Sequence, residues 1–308
     1  MRSLAGWILL AAGLPGCAGG PPGSPVPAAP SPAEAPAPLD LACALGQPPD
    51  PVALRAAAAG LRSHLAHPDW QVREAATALL EGLGPDGIHF LALLHPDTDA
   101  EVAWRVRRAL KRLGWPDERL VRMAAQGGAT AAPLIASVLR EEPIERAGPA
   151  IRALGSIAAA PAREAAEAVA LDPEPRARYH AARALGLIGD RKAIRTLDRL
   201  ELDADQGVRY AAAGALMRLG RSEAFEATSA SLQAQAAGGG AIYFYNLACL
   251  QALAGRTEAA CEWMAKAFDA GFRDIHSTAT DPDLYDLREL PSWQALLRRM
   301  AGAAVREE

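Results

Sequence analysis

Aromatic residues make up only 5% of this 308-residue chain, and asparagine occurs once, as Asn246. Sheet cores rely on β-branched and aromatic side chains, so this scarcity argues against a β protein. Alanine occurs 71 times instead, and a core of Ala and Leu suits closely spaced helices. An excess of positive charge is also missing: 32 basic against 36 acidic residues leave a net charge of −4, which removes the simplest case for nucleic-acid binding. There is no Cys-x-x-Cys, no His-Glu-x-x-His, no nucleophile elbow and no phosphate loop. The expectation is a non-enzymatic chain with no catalytic residue, metal or small-molecule cofactor.

The N-terminus carries an address. Arg2 precedes an apolar run from Leu4 to Leu14, too short to cross a hydrocarbon layer of roughly 30 Å. It ends in Leu14-Pro15-Gly16-Cys17, which resembles a bacterial lipobox. That resemblance implies a signal peptide over 1–16, lipid attached to Cys17, and a place in the cell envelope, membrane-anchored and facing the periplasm. An ordinary secreted protein and an uncleaved or cytosolic chain are the alternatives. Residues 17–39 form a Pro/Gly-rich tether; its stretch 18–38, as polyproline II at about 3.1 Å per residue, reaches roughly 65 Å. Three further cysteines, Cys43, Cys249 and Cys261, are an odd number, so no complete disulfide framework is implied. Cys249 and Cys261 fall on consecutive expected helices, either bridged or as two buried thiols.

An internal repeat decides the fold. Four segments starting at Val72, Val102, Ala177 and Val208 align without gaps. Offset +4 holds Ala76, Val106, Ala181 and Ala212; offset +8 holds Leu80, Leu110, Leu185 and Leu216; each copy closes on Gly84, Gly114, Gly189 or Gly220. At about 100° per residue, offsets 0, 4, 8 and 11 share one arc of a helix. The glycine suits a left-handed C-cap. Acidic residues three and five positions upstream, such as Asp97 and Asp99, suit N-caps. A weaker copy starts at Arg146, and a second helical run follows each copy: Ile88–Leu94, Glu118–Ala125, Ala162–Leu171, Arg191–Leu200 and Ser222–Gln235. About fourteen extra residues between Gly114 and Arg146 read as a degenerate or extended repeat. One such helix cannot bury its arc alone, but stacked hairpins can.

The pattern, with Val72-Arg73 and Val208-Arg209 and the stretch Ala177 to Gly220, resembles the short HEAT-like repeats also found in phycobilin lyases. The resemblance implies an all-α superhelix over 40–237. Gly238-Gly239-Gly240 then breaks the chain. Residues 241–308 resemble one tetratricopeptide repeat, with Phe244, Leu247-Ala248, Ala260, Met264 and Ala267 in place, Thr257 as the N-cap of its second helix and Pro291–Met300 as a closing helix. In that family the first helix lines a peptide groove, which nominates Tyr245 and Asn246 as partner contacts. Arg105, Arg108 and Arg112 belong to the densest basic cluster and are the other candidates.

Two motifs have simpler explanations. Gly82-Leu83-Gly84-Pro85-Asp86-Gly87 spells a dinucleotide fingerprint but follows a helix, where its glycines end that helix. Asp97-Thr98-Asp99 begins like a calcium loop but has Val102 where the turn glycine belongs. The function expected is therefore a membrane-tethered scaffold binding an unknown protein or peptide, with no nucleic acid. The alternatives are an accessory role like that of the lyases, and binding of a nucleic acid or another anionic partner through the basic helix 102–113.

Overall fold

The structure is a computed structural model that describes residues 51–307 apart from Pro96 and Ala158. The expected signal sequence and tether, with Cys17 and Cys43, lie outside the described residues. Every regular element described is helical. The chain divides into two compact units at Trp115 and Pro116. The glycine run at 238–240, which the sequence marks as a boundary, falls inside the second unit.

In the first unit, α1 (Pro51–Leu65) packs on α2 (Trp70–Gly82) and α3 (Ile88–Leu94), and α4 (Ala100–Leu113) packs on all three. The repeat positions go where periodicity sends them: Ala76, Leu80, Val106 and Leu110 are all buried. Copy ends are local chemistry. Asp69 and Asp99 accept backbone N–H bonds in the first turns of α2 and α4 at 2.8 and 2.9 Å. Gly84 and Gly114 take positive φ, a conformation that strains other residues. The dinucleotide-like glycines thus do terminate a helix, and Gly84–Gly87 forms a 3-10 turn.

The second unit begins with α5 (Glu118–Gln126), α6 (Ala132–Glu141), α7 (Ile144–Ser156) and α8 (Ala159–Val169), followed by α9 (Pro175–Ile188), α10 (Ile194–Leu200), α11 (Gln206–Arg218) and α12 (Glu223–Ala237). It ends with α13 (Ala241–Leu253), α14 (Thr257–Asp269), α15 (Ile275–Thr280) and α16 (Pro291–Glu307). Odd-numbered helices α5, α7, α9, α11 and α13 lie side by side as one layer, and α6 packs beside α8 in the other. The extra residues after Gly114 are therefore no degenerate copy. Gly128, at φ +63°, turns the chain into α6, so α5–α6 is a hairpin of its own, with α5 beside α7.

What joins the repeats goes beyond capping. Asp97, Asp172 and Asp203 each accept the backbone N–H two residues on, at 2.8, 3.0 and 2.9 Å. Each also pairs with an arginine of a preceding helix: Arg62 at 2.6 Å, Arg140 at 3.3 Å and Arg178 at 2.7 Å. His67 replaces the aspartate in the first copy and accepts the Asp69 N–H through its ring. The arginine of the Val-Arg pair has its own task. Arg73, Arg178 and Arg209 each donate to two carbonyls of the loop that precedes their helix. Hydrogen bonds from Arg62 and Arg178 hold the Asp97 and Asp203 carboxyls below the usual range.

The C-terminal hairpin is continuous with this layer. A Cβ at Gly214 on α11 would lie 2.7 Å from Leu253 Cβ, so α11 and α13 meet at a distance only glycine permits. Leu247, Ala248, Ala260, Met264 and Ala267 are fully buried, as their spacing requires. Thr257 is not the N-cap. Arg256 holds that position without a side-chain bond, and the Thr257 hydroxyl turns to Glu258 at 3.0 Å. On α16, Trp293 and Met300 are fully buried against the hairpin.

Candidate interaction surface

The α7, α9, α11, α13 layer carries a second tier of chain on its outer side. After α15, residues 281–288 form a strap whose middle, Pro282–Leu287, is a 3-10 turn capped by Asp281. Leu284 and Leu287 are fully buried in the cluster that also holds Tyr245, Cys249 and Trp293. Those two leucines fix the strap's inner face, and the intervening polar residues then point at the helices.

Helices α7, α9 and α13 each bond to the strap through a particular side chain, and α11 shares a cavity with it. On α7, Arg152 donates to the Tyr285 hydroxyl at 3.1 Å and stacks its guanidinium 4.4 Å from the ring centre. Arg288 stacks on the same ring at 4.6 Å. The Tyr285 ring passes close to the α7 backbone, where a Cβ on Gly148 would be 3.7 Å away. On α9, the Tyr179 hydroxyl donates to the Asp283 carboxylate, and Arg183 lies over the Tyr179 ring at 5.7 Å. On α11, Arg218 donates to the Leu253 carbonyl at 2.7 Å and lines a small cavity with Arg183 and Asp286. On α13, Tyr245 donates to Asp281, with Cys249 Sγ 3.9 Å from the same oxygen.

The electrostatics follow from burial. Desolvation lowers the Arg183 pKa, opposed by Asp286 and Asp281. Burial pushes the Asp283 carboxyl up to about 7 and raises the Cys249 thiol well above its ordinary value. Cys249, Asp281 and Asp283 bring one donor atom each within 4.8 Å of one another, the spacing of metal ligands. Their oxygens already accept the Tyr179 and Tyr245 hydroxyls, so the cluster works as the strap's polar anchor. Beyond the strap, a cleft of about 350 Å³ opens between α5 and α7, lined by Glu118, Arg122, Gln126 and Arg152 among others.

The residues nominated from sequence fall in two places. Tyr245 is buried beneath the strap and stacks on Phe272 at 4.6 Å, while Asn246 beside it is half-buried. Arg105, Arg108 and Arg112 sit in the first unit and are ion-paired. Arg105 is buried and donates to Glu101 at 2.7 Å, Glu74 at 3.1 Å and Thr77 at 2.6 Å, tying α4 to α2. Arg108 and Arg112 both reach Glu81, at 2.9 and 2.6 Å. Replacing Arg105 with Ala is expected to lower unfolding stability by about 1–2 kcal/mol, since the buried tie between α4 and α2 is lost, while Thr77 keeps its bond to the Arg73 carbonyl and the carboxylate partners remain half-solvated. Lys should not restore it, because the fork that bridges three partners is lost; urea melts of the three proteins decide this. Cys249 and Cys261 are both free thiols.

Sequence reasoning did not find Arg152, Tyr179, Arg183 or the strap. Its only trace in the sequence is the run Asp281-Pro282-Asp283-Leu284-Tyr285-Asp286-Leu287, too polar for a core helix and too apolar for a free loop.

The family comparison agrees with this architecture. A family profile described as HEAT repeats matches residues 131–217 and 163–237. No curated protein sequence matches. Among solved structures, one engineered protein is similar at 19% identity and a TM-score of 0.31, covering 70% of this chain and 98% of its own. A second engineered protein is similar at 16% identity and a TM-score of 0.32, covering 86% and 87%. The fold is an all-α superhelix of HEAT-like hairpins, with HEAT repeats matched over residues 131–237.

Proposed function

We propose that this chain is a non-enzymatic protein–protein interaction scaffold, held at a membrane of the cell envelope by lipid on Cys17. The observation that carries the interaction reading is the strap. A layer of repeat helices presents Arg152, Tyr179 and Tyr245 on α7, α9 and α13, and these side chains bond to one segment that lies 133, 104 and 36 residues further along the chain. Helical-repeat layers present extended surfaces of this kind to partners. The open cleft between α5 and α7 continues the same face. Support for the anchor comes from the lipobox-like ending at Cys17, and no helix among the described residues is long and apolar enough to cross a membrane.

Two measurements test the two halves separately. A photo-crosslinking residue at Gln126, beside the cleft, should yield a discrete adduct in cells, and one at exposed Arg195 on α10 should not. If position 126 gives no adduct, this face is not the interaction surface. Cys17→Ser should shift the protein from the membrane fraction to the soluble fraction. An unchanged distribution and an unchanged mass would remove the lipid anchor.

A further inference from the structure

We infer that the face formed by α7, α9, α11 and α13 is a receptor for an acidic segment carrying Leu and Tyr, and that the chain's own strap, residues 281–288, is the resident occupant which a partner segment of the same chemistry displaces. This rests on the interaction-scaffold reading and specifies the partner.

Charge complementarity comes first. The strap presents Asp281, Asp283 and Asp286, and the helices beneath present Arg152, Arg183 and Arg218. Among the described residues no carboxylate lies within ion-pair distance of Arg183, although Asp281 and Asp286 both raise its pKa. The guanidinium rests on the Tyr179 ring. A half-buried arginine of this kind is a recognition element awaiting a closer acceptor than the strap supplies.

The form of the contact comes second. Core packing between repeats uses helix arcs such as Ala181, Leu185, Ala212 and Leu216, which are buried between neighbouring helices. The strap is held differently: Leu284 and Leu287 anchor it in the pocket of α13, α14 and α16, while one stacked tyrosine and carboxylates received by hydroxyls join it to α7, α9 and α13. Such spaced anchors with polar contacts between them are how short segments are bound.

Access comes third. Arg152 belongs both to the strap contact and to the open cleft beside it. A competing segment can therefore settle next to Arg122 and Arg152 before the strap leaves, and its own Leu and Tyr can replace Leu284, Leu287 and Tyr285 like for like. Burial of the Asp283 carboxyl adds a cost that a solvated strap does not carry.

The experiment uses the full chain and a fluorescein-labelled peptide of residues 279–290. Fluorescence anisotropy should show weak binding to the wild type and at least tenfold tighter binding to D283K/D286K, whose strap is repelled while the receptor helices are intact. Adding Arg183→Glu should remove that gain. A D283K/D286K protein with wild-type helicity and wild-type peptide affinity would overturn the inference. So would dimerisation through exchanged straps without any gain for the peptide, which would make a second copy the occupant.

Hydrogen exchange on the wild type covers the case in which the variant does not fold. The strap amides of Leu284 and Arg288 should exchange at least a hundredfold faster than those of α9 and α11; equal protection would mean that the strap leaves only on global unfolding and would end the proposal. Failure of these tests leaves the crosslinking test of the scaffold reading standing, since that test asks only whether the cleft touches a protein in cells.

Discussion

Trp293→Ala is expected to lower the stability of the second unit by about 3–5 kcal/mol, the range for truncating a large aromatic side chain in a core. Trp293 is fully buried on α16, among Met264, Leu284, Leu287 and Met300. Removing it leaves a cavity beneath both the closing helix and the strap, so two elements lose their support together. The indole N–H has no hydrogen-bond partner. Trp293→Phe should therefore cost much less, about 1–2 kcal/mol, because the smaller ring also removes an unsatisfied donor. Denaturant midpoints of the two variants decide the matter. If Trp293→Ala behaves like a surface change, within about 0.5 kcal/mol, α16 does not close the unit.

The second large effect is on pH dependence. Burial raises the Asp283 carboxyl to about 7, far above an ordinary aspartate. Between pH 4 and 7 the folded protein therefore binds a proton there that the unfolded chain has released. Stability from this group is complete below about pH 4 and falls as pH rises through 7, with a slope of at most about 1.4 kcal/mol per unit. The total should be on the order of 2–4 kcal/mol. The groups around the carboxyl are the Tyr179 hydroxyl, Asp281 and Cys249.

Other groups act with different sign or range. Asp97 and Asp203, held low by their arginines, cost stability only as pH drops below the ordinary carboxylate range. His89 is lowered by burial, so its contribution grows as pH rises toward 6.5. Comparing Asp283→Asn with the wild type cancels these terms. The variant should be flat where the wild type declines, and melting temperatures at pH 5 and 8 measure the difference. Parallel curves would show that Asp283 is ionised and solvated in the folded protein.

How much of this was legible follows from the range of each interaction. Ala76, Val106, Ala181 and Ala212 announce a buried arc because helix geometry places offsets 0, 4, 8 and 11 on one side. Gly84, Gly114, Gly189 and Gly220 announce helix ends because few other residues accept positive φ. The aspartates at 97, 172 and 203 were legible only in part. Their capping is local, but their second bond, to an arginine of another repeat, joins residues 25 to 35 positions apart. The basic cluster on α4 misled for the same reason, since Glu74 and Glu81, the partners that neutralise it, lie about thirty residues earlier.

By itself, then, the sequence determined the helical class, the repeat register at four of its copies, and the glycine ends. Each depends on side chains within a few turns of one helix. Tertiary structure alone decided that α5 and α6 form their own hairpin, that α11 and α13 touch through Gly214, and that residues 281–288 lie across α7 to α13. The strap's bonds to Arg152 and Tyr179 span 133 and 104 residues. No periodicity reports such a pairing, because its partners share neither a helix nor a repeat; only the packed layer brings them within reach.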